Sequence, residues 1–478
     1  MWQVISGGWQ ALVRLGASVV LARTLAPGDF GLFGMALLVV ELVDYLGGLG
    51  MTGGIIAKKE IGDKELNTCF WTMSGVRVTL FCIAFMSAPF AAAFMKEPRI
   101  EAVVRVVSVT FLISILGIIG NTLLSKRLQF GKISIINAIA ILLESSVAVY
   151  LALTTDLGYW ALVFPMLLSS FFTNVSVFIV SKWSPRLMFD KASFQFQFKF
   201  GINGLGFNIA NYLHQNIDYF MVGRIMGASS LGLYEYAYRI PHIILEKLAR
   251  PVGSVVFPAL AKVQDDDDAL IRGYVQTVRY VTVVAFPILG GLAAIAEPLV
   301  LVLWGEQWKT IILPMQILCL CTAIRCCIQP TGAVFLCKHR PEIPMKQSIL
   351  SCLAAVVFVG LGIWAFGLVG VAVGMVVSTF SYLYGFSMVF KITNSSPRML
   401  YENLAPSIVS TFVSILLAVV PGYLFPGINI IFMLVISILF GVLGYVACFY
   451  FLFRNNFKDI IDMAANVFFK NNKLLPVR

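Results

Sequence analysis

Apolar residues fill the chain in long blocks, each opened and closed by a few polar residues. A helix needs roughly 20 apolar residues to cross a ~30 Å hydrocarbon core. On that measure the pattern predicts about fourteen membrane helices. They lie at 2–23, 30–56, 67–94, 102–124, 133–153, 158–182, 200–223, 231–261, 271–303, 311–336, 347–366, 368–391, 404–425 and 427–453. No gap between them exceeds roughly twenty residues, which leaves no room for an extramembrane catalytic domain. The expected fold class is an all-α integral membrane protein, not an enzyme, that works with its helices. The first apolar segment starts almost at Met1 and is too long and too mixed for a secretory signal.

Composition agrees. The chain is 59% hydrophobic and 12% charged, with a mean hydropathy of +0.88. A net charge of +11 would suit nucleic acid, but its distribution fits a membrane topology better, so no nucleic-acid partner is expected. An even number of spans puts both termini on one side. Loops on that side carry Lys58, Lys59, Lys64, Lys126, Arg127, Lys132, Lys182, Arg186, Lys338, Arg340, Lys391 and Arg398, and the tail adds Arg454, Lys470, Lys473 and Arg478. The opposite loops carry only Arg23, Lys96, Arg99, Arg224 and Lys309. The positive-inside rule therefore places the N-terminus and the tail in the cytoplasm. Trp71, Trp160, Trp183, Trp304 and Trp308 fall near span ends, where interfacial Trp is expected.

Two clusters have rival explanations. "CLCTAIRCC" sets Cys319, Cys321, Cys326 and Cys327 in one helix, where polarisable packing is the plainer account and a metal site the sharper one. "QDDDD" at 264–268 would cap the ninth helix with carboxylates or, less plainly, hold a divalent ion. No cofactor and no resident metal is expected.

The chain also repeats itself at an offset of about 200 residues. Arg23 aligns with Arg224, Gly31 with Gly232, Leu32 with Leu233, Ala36 with Ala237, and Val76-Arg77 with Val278-Arg279. The offset spans an even number of helices, so the halves run parallel, as in transporters whose substrate site lies near mid-membrane at the repeat interface. The expected domains are an N-lobe (1–199), a C-lobe (200–391), two further helices (392–453) and a tail (454–478).

Charges inside spans are costly, so they usually face a cavity or a partner. At 100° per residue, Glu235, Arg239, His242, Glu246 and Arg250 of the eighth span fall within an arc of about 80°. Pro241, Pro251 and Pro258 interrupt the same helix and can kink it. The seventh span carries Asn208, Asn211, Gln215 and Asp218. Its repeat mate, the first span, carries Gln10 and Arg14, and the second carries Glu41 and Asp44. These polar faces are expected to meet around a water-filled, partly cationic cavity. Pairing among the charges for structure alone is the competing account. Arg77 and Arg279 lie close enough to the cytoplasmic ends to snorkel, so a structural role is the plainer expectation for them. Glu144 and Arg325 stand alone on other spans, where a packing role is the plainer expectation.

"LARTLAPGDFGLFGMA", "NYLHQNIDYFMVGRIMGASSLGLYEYAYRIP", "VFPALAKVQDDDD", "AFPILGGLAAIAEPLV" and "GEQW" resemble the polysaccharide transporter (Wzx-type) flippases of the multidrug/oligosaccharidyl-lipid/polysaccharide superfamily. The resemblance implies two six-helix lobes around a central cavity plus two C-terminal helices. It implies export of undecaprenyl-diphosphate-linked oligosaccharide repeat units across the bacterial inner membrane by alternating access. Cavity arginines of the family, carried over, are Arg14, Arg239 and Arg250 for the diphosphate. Gln10, Asn208, Asn211, Gln215 and His242 would then meet sugar hydroxyls. Glu41, Asp44, Asp218 and Glu246 are candidates to couple H⁺ or Na⁺. Partners implied are the lipid-linked oligosaccharide, membrane lipids, a polysaccharide polymerase and a chain-length regulator.

The first alternative is a multidrug or cation antiporter of the same superfamily, which would want a net negative cavity. A membrane-embedded sugar polymerase would need a large extracytoplasmic loop or an acid–base constellation there. A non-transporting scaffold of glycan assembly is a further rival, and would tolerate loss of Arg239.

Overall fold

The computed structural model describes residues 2–47, 55, 61–424, 427–454 and 456–459, with the backbone alone at 2–5, 196–208, 210, 250, 251 and 253–255. Lys58, Lys59, Lys470, Lys473 and Arg478 lie outside the described residues, as do the side chains of Asn208 and Arg250. Among the described residues, helices follow one another through short connections.

The helices are α1 (Trp2–Thr24), α2 (Pro27–Gly47), α3 (Asp63–Met95) and α4 (Ile100–Ser114), which runs through a 3₁₀ turn into α5 (Ile118–Lys126). Then come α6 (Phe130–Thr154), α7 (Trp160–Ser181), α8 (Lys191–Ile244), α9 (Arg250–Ala261), α10 (Asp267–Ala294) and α11 (Ala296–Leu303). The last helices are α12 (Ile312–Ile328), α13 (Thr331–Cys337), α14 (Glu342–Ser378), α15 (Leu383–Ile392), α16 (Arg398–Leu424) and α17 (Ile430–Leu452). Ten stretches among the described residues are long and apolar enough to cross a membrane. One of them, Glu342–Ile392, holds the expected eleventh and twelfth spans on either side of a break at Gly367. The expected first, seventh and eighth spans are helical too, though they are not among the ten.

Helix starts follow local chemistry. Asp266 Oδ1 accepts from the Ala269 N–H at 2.9 Å and caps α10, while Asp267 pairs with Lys338 at 2.6 Å. The acidic run is thus a cap and a loop anchor, as expected. Asp190 does the same ahead of α8, accepting from the Ser193 hydroxyl at 2.5 Å and from the Ser193 N–H at 2.8 Å. These bonds, the hydroxyl's first, hold the Asp190 carboxyl below its usual range.

Helix α8 turns sharply at Gly227, whose φ of 84° is open to glycine and costly for other residues. Further on it widens into a π-turn at Leu245–Ala249. Pro251 follows, with no N–H to close an α-turn, and a π-turn is one way to absorb the gap. The eighth span is therefore distorted just before Pro251, whereas Pro241 and Pro258 lie within helix.

The chain divides into two compact units, Met1–Glu235 and Tyr236–Arg478. In the first, α2 packs on α3 and α4, and α6 packs on α1 and α7. Its core joins Leu66, Cys69, Phe70 and Met73 of α3 to Ile119 and Leu123 of α5. In the second, α10 packs on α12 and α16, and α16 packs on α17. Leu270, Tyr274 and Val278 of α10 meet Val334 and Phe335 of α13 and Val389 and Phe390 of α15.

One expectation fails. Trp304 and Trp308 are not interfacial anchors: they are 1% and 0% exposed. The chain passes through a 3₁₀ turn at Glu306–Ile311, and both rings pack on Tyr236, with centres at 5.1 and 4.1 Å. Arg77 has structural contacts, as expected: it pairs with Asp44 and sits 5.9 Å from the Phe111 ring centre. Arg279 is structural too. It donates to the Asn456 carbonyl and to Asp459, both at 3.2 Å, tying α10 to the segment after α17. A guanidinium with a carboxylate in reach gains a charge-assisted bond without stretching to water.

Candidate functional site

The polar faces of α2 and of α8 up to Glu235 meet inside the first unit. Tyr212 of α8 is buried and donates its hydroxyl to the Leu38 carbonyl at 2.8 Å. The Glu41 carboxylate lies 3.5 Å from the same hydroxyl. The Tyr45 ring lies 4.7 Å from the Tyr212 ring. Asp44, one turn along from Glu41, is taken by Arg77 of α3. Asp218, 1% exposed, accepts from the Tyr234 hydroxyl at 2.6 Å. That bond links the two arms of α8 across the Gly227 turn. Glu235, the first member of the eighth span's polar stripe, lies against α2: a Cβ placed on Gly34 would sit 3.3 Å from its carboxylate.

The same surface contains the repeat's own seam. A Cβ placed on Gly31 would sit 1.6 Å from the Ala228 carbonyl oxygen, and one on Gly232 would sit 1.9 Å from the Pro27 carbonyl oxygen. The repeat-matched glycines therefore face each other, each against the backbone of the other helix. Close backbone approach through small residues is how membrane helices associate, because lipid supplies no hydrophobic drive between them.

Helix α1 contributes differently. Gln10 donates to Ser6 Oγ at 2.9 Å, and Ser6 donates to the Ser134 carbonyl at 3.3 Å. Arg14 is exposed near the middle of the 23-residue helix, and its side chain takes part in no ion pair or hydrogen bond among the described residues. Asn211 and Gln215 are half-buried on α8.

The rest of the stripe, from Tyr236 onward, belongs to the second unit and has partners there. The Arg239 guanidinium lies 4.9 Å from the centre of the Tyr236 ring. His242 Nε2 is 3.5 Å from Glu246 Oε1. Arg325 of α12 donates to the Tyr238 hydroxyl at 2.7 Å, which adds a cation from another helix to the stripe.

Arg325 is thus more than the lone packing residue the sequence suggests, and the tyrosines matter more than their sequence setting implies. Their signal is present in "YEYAY": a buried Tyr hydroxyl needs a partner, and alternate positions on a helix face opposite sides. Tyr234 faces Asp218, whereas Tyr236 faces Trp304 and Trp308. The structure brings Glu41 to Tyr212, Asp44 to Arg77, Asp218 to Tyr234 and His242 to Glu246. It leaves Gln10 in a local bond and Arg14 open.

Long apolar helices, a repeated and broken helix pair and polar stripes at membrane depth define a multi-pass membrane transporter of the all-α class. Residues 20–313 match the family described as "Polysaccharide biosynthesis protein", and the chain belongs to that family. It is similar to the Lipopolysaccharide biosynthesis protein WzxC of Escherichia coli (strain K12), with 28% identity over 389 residues, 79% of this chain and 78% of that one. It is also similar to the Succinoglycan biosynthesis transport protein ExoT of Rhizobium meliloti (strain 1021), with 27% identity over 308 residues, 63% of this chain and 62% of that one. Among solved structures, the Lipid II flippase MurJ in an inward closed conformation superposes with a TM-score of 0.77 at 15% identity, covering 96% of this chain and 99% of that one. An inward-facing multidrug resistance MATE family transporter of the MOP superfamily gives 0.63 at 15% identity, covering 81% and 96%. At such identities these two likenesses concern the fold alone.

Proposed function

We propose that this protein is a flippase that moves undecaprenyl-diphosphate-linked oligosaccharide repeat units across the bacterial inner membrane for surface polysaccharide synthesis. Membership of the polysaccharide biosynthesis family supports the substrate class. The observation that carries the mechanism is Arg14, an exposed guanidinium in mid-span without an ion-pair partner among the described residues. An isolated charge at that depth is costly unless it meets water or an anion. A diphosphate fits, because the planar guanidinium binds phosphate oxygens bidentately.

A sugar chain cannot enter hydrocarbon without losing water from each hydroxyl. In this reading the polar faces of α1, α2 and α8 provide a hydrated route, and the lipid tail stays in the bilayer. Arg14, Arg239 and Arg250 hold the head group, while Gln10, Asn208, Asn211, Gln215 and His242 meet the sugar. The N-terminus and tail are cytoplasmic. A negative interior favours outward movement of an anion by about 2.3 kcal/mol per charge through 100 mV. Coupling to H⁺ or Na⁺ falls to Glu41, Asp218 or Glu246 before Asp44, which Arg77 already neutralises. A multidrug or cation antiporter, which shares the fold, would be ill served by the open cation at Arg14.

Depletion of the protein tests the proposal. Complete lipid-linked repeat units should accumulate facing the cytoplasm while surface glycan disappears, and Arg14→Ala should reproduce both. Surface glycan that persists, with no intermediate and no second flippase in the cell, would overturn it.

A further inference from the structure

The second unit holds a cavity of about 740 Å³ that no residue of the proposed transport site lines. Its walls come from α10 (Phe286), α12 (Leu320, Ile324), α15 (Phe390) and the stretch from Pro397 to Ile415, nearly all of it in α16. That stretch spans about 27 Å at 1.5 Å per residue, close to the ~30 Å depth of a hydrocarbon core. The walls are almost wholly apolar. Of the few polar side chains, Gln316 donates to the Ala293 carbonyl at 3.0 Å and Ser387 donates to the Tyr384 carbonyl at 2.8 Å, while the buried Thr411 hydroxyl has no hydrogen-bond partner among the described residues. A long hydrocarbon chain is the occupant that such a wall accepts.

One end of the groove is basic. Phe390 and Pro397 line it, and the residues next to them in the chain are Lys391 and Arg398, both exposed. Glu402 pairs with Arg398 at 2.8 Å, which leaves the mouth with a net positive charge. Basic residues at a membrane surface attract anionic lipid.

We propose that this groove is a binding site for a resident anionic phospholipid, with one acyl chain along α16 and the head group at Lys391 and Arg398. An acyl chain ends within the length of the groove, whereas an undecaprenyl chain is far longer than it. The site is independent of the transport substrate, so failure of the flippase assignment would leave it standing.

Photo-crosslinking of the full-length protein in vesicles tests it. The probes are phosphatidylglycerol and phosphatidylcholine, each with a photoreactive diazirine on one acyl chain, and labelled peptides are mapped by mass spectrometry. Phosphatidylglycerol should label residues 397–415 about fivefold more than phosphatidylcholine, the preference that one net surface charge confers. Lys391→Gln leaves Arg398 balanced by Glu402 and should bring the two to parity, and the position is exposed, so the fold should survive. Leu404→Trp or Ile408→Trp should fill the groove and remove the labelling. Equal labelling of the unaltered protein by both lipids would reduce the groove to ordinary lipid contact and overturn the proposal. Displacement of phosphatidylglycerol by a smaller mole fraction of undecaprenyl phosphate would also overturn it, since the groove would then belong to the substrate's tail.

Discussion

Where α2 and α8 meet, Gly31 and Gly232 bring two backbones together with no room for a methyl group. Where α10, α12 and α16 face one another, the structure leaves a cavity of about 740 Å³. The first region surrounds its contact with paired polar groups, among them Glu41 with Tyr212 and Asp218 with Tyr234. The second is walled by Leu, Ile and Phe. The difference follows from what the bilayer can supply. Lipid can fill an apolar gap, so a gap between apolar helices is tolerable. It cannot satisfy a carboxylate, so polar helices must close on each other or on water.

The largest expected effect comes from the seam. Gly31→Val or Gly232→Val should abolish surface glycan and lower thermal stability, because the added carbons meet backbone that cannot rotate away; overpacking of this kind costs about 1–3 kcal/mol or more. Gly28→Val, at the start of α2 and with open space around it, should be tolerated. Equal loss in both variants would mean that the seam is not special.

Asp218→Ala comes next. It leaves the buried Tyr234 hydroxyl without its acceptor and should cost about 1–3 kcal/mol. Tyr234→Phe added to it should cost little more, a coupling that a double-mutant thermal-unfolding series would detect. Arg14→Ala should reverse the pattern. Stability should stay nearly constant while export of lipid-linked oligosaccharide falls at least about tenfold, as expected for the loss of a charge-assisted contact of about 1.5–3 kcal/mol.

Smaller effects should come from groups nearer to water. Asp44→Asn should cost no more than about 1 kcal/mol, because both partners of the Asp44–Arg77 pair retain exposure. The Asp190 cap should matter least. Its carboxyl is held below the usual range by Ser193. Its contribution is therefore present at neutral pH and lost as pH falls through that lowered value. Hydrogen exchange in the first turn of α8 should quicken at acid pH, and Ser193→Ala should move that onset to higher pH.

Much of this is legible in the sequence. Apolar length alone announces an all-α membrane protein, and the repeat marks Gly31 and Gly232 as equivalent positions. The acidic run before α10 announces a cap. Those features depend on local period and local hydrogen bonding, which a sequence displays directly. The partners of the polar groups are another matter. Depth along the span suggests a structural role for Arg77 and Arg279, but not that their partners are Asp44 and Asp459. Position near a span end suggests an interfacial role for Trp304 and Trp308, yet they enclose Tyr236.

The sequence by itself determined which segments are helical, which faces are polar and where the chain repeats, because hydropathy and helical phase are properties of neighbouring residues. Only the tertiary structure decided that the repeat-matched glycines touch, that Asp218 belongs to Tyr234, and that α12 and α16, both packed on α10, leave a groove between them. Each of these depends on the separation of helices distant in the chain, and that separation is set by the sum of many side-chain volumes and contacts.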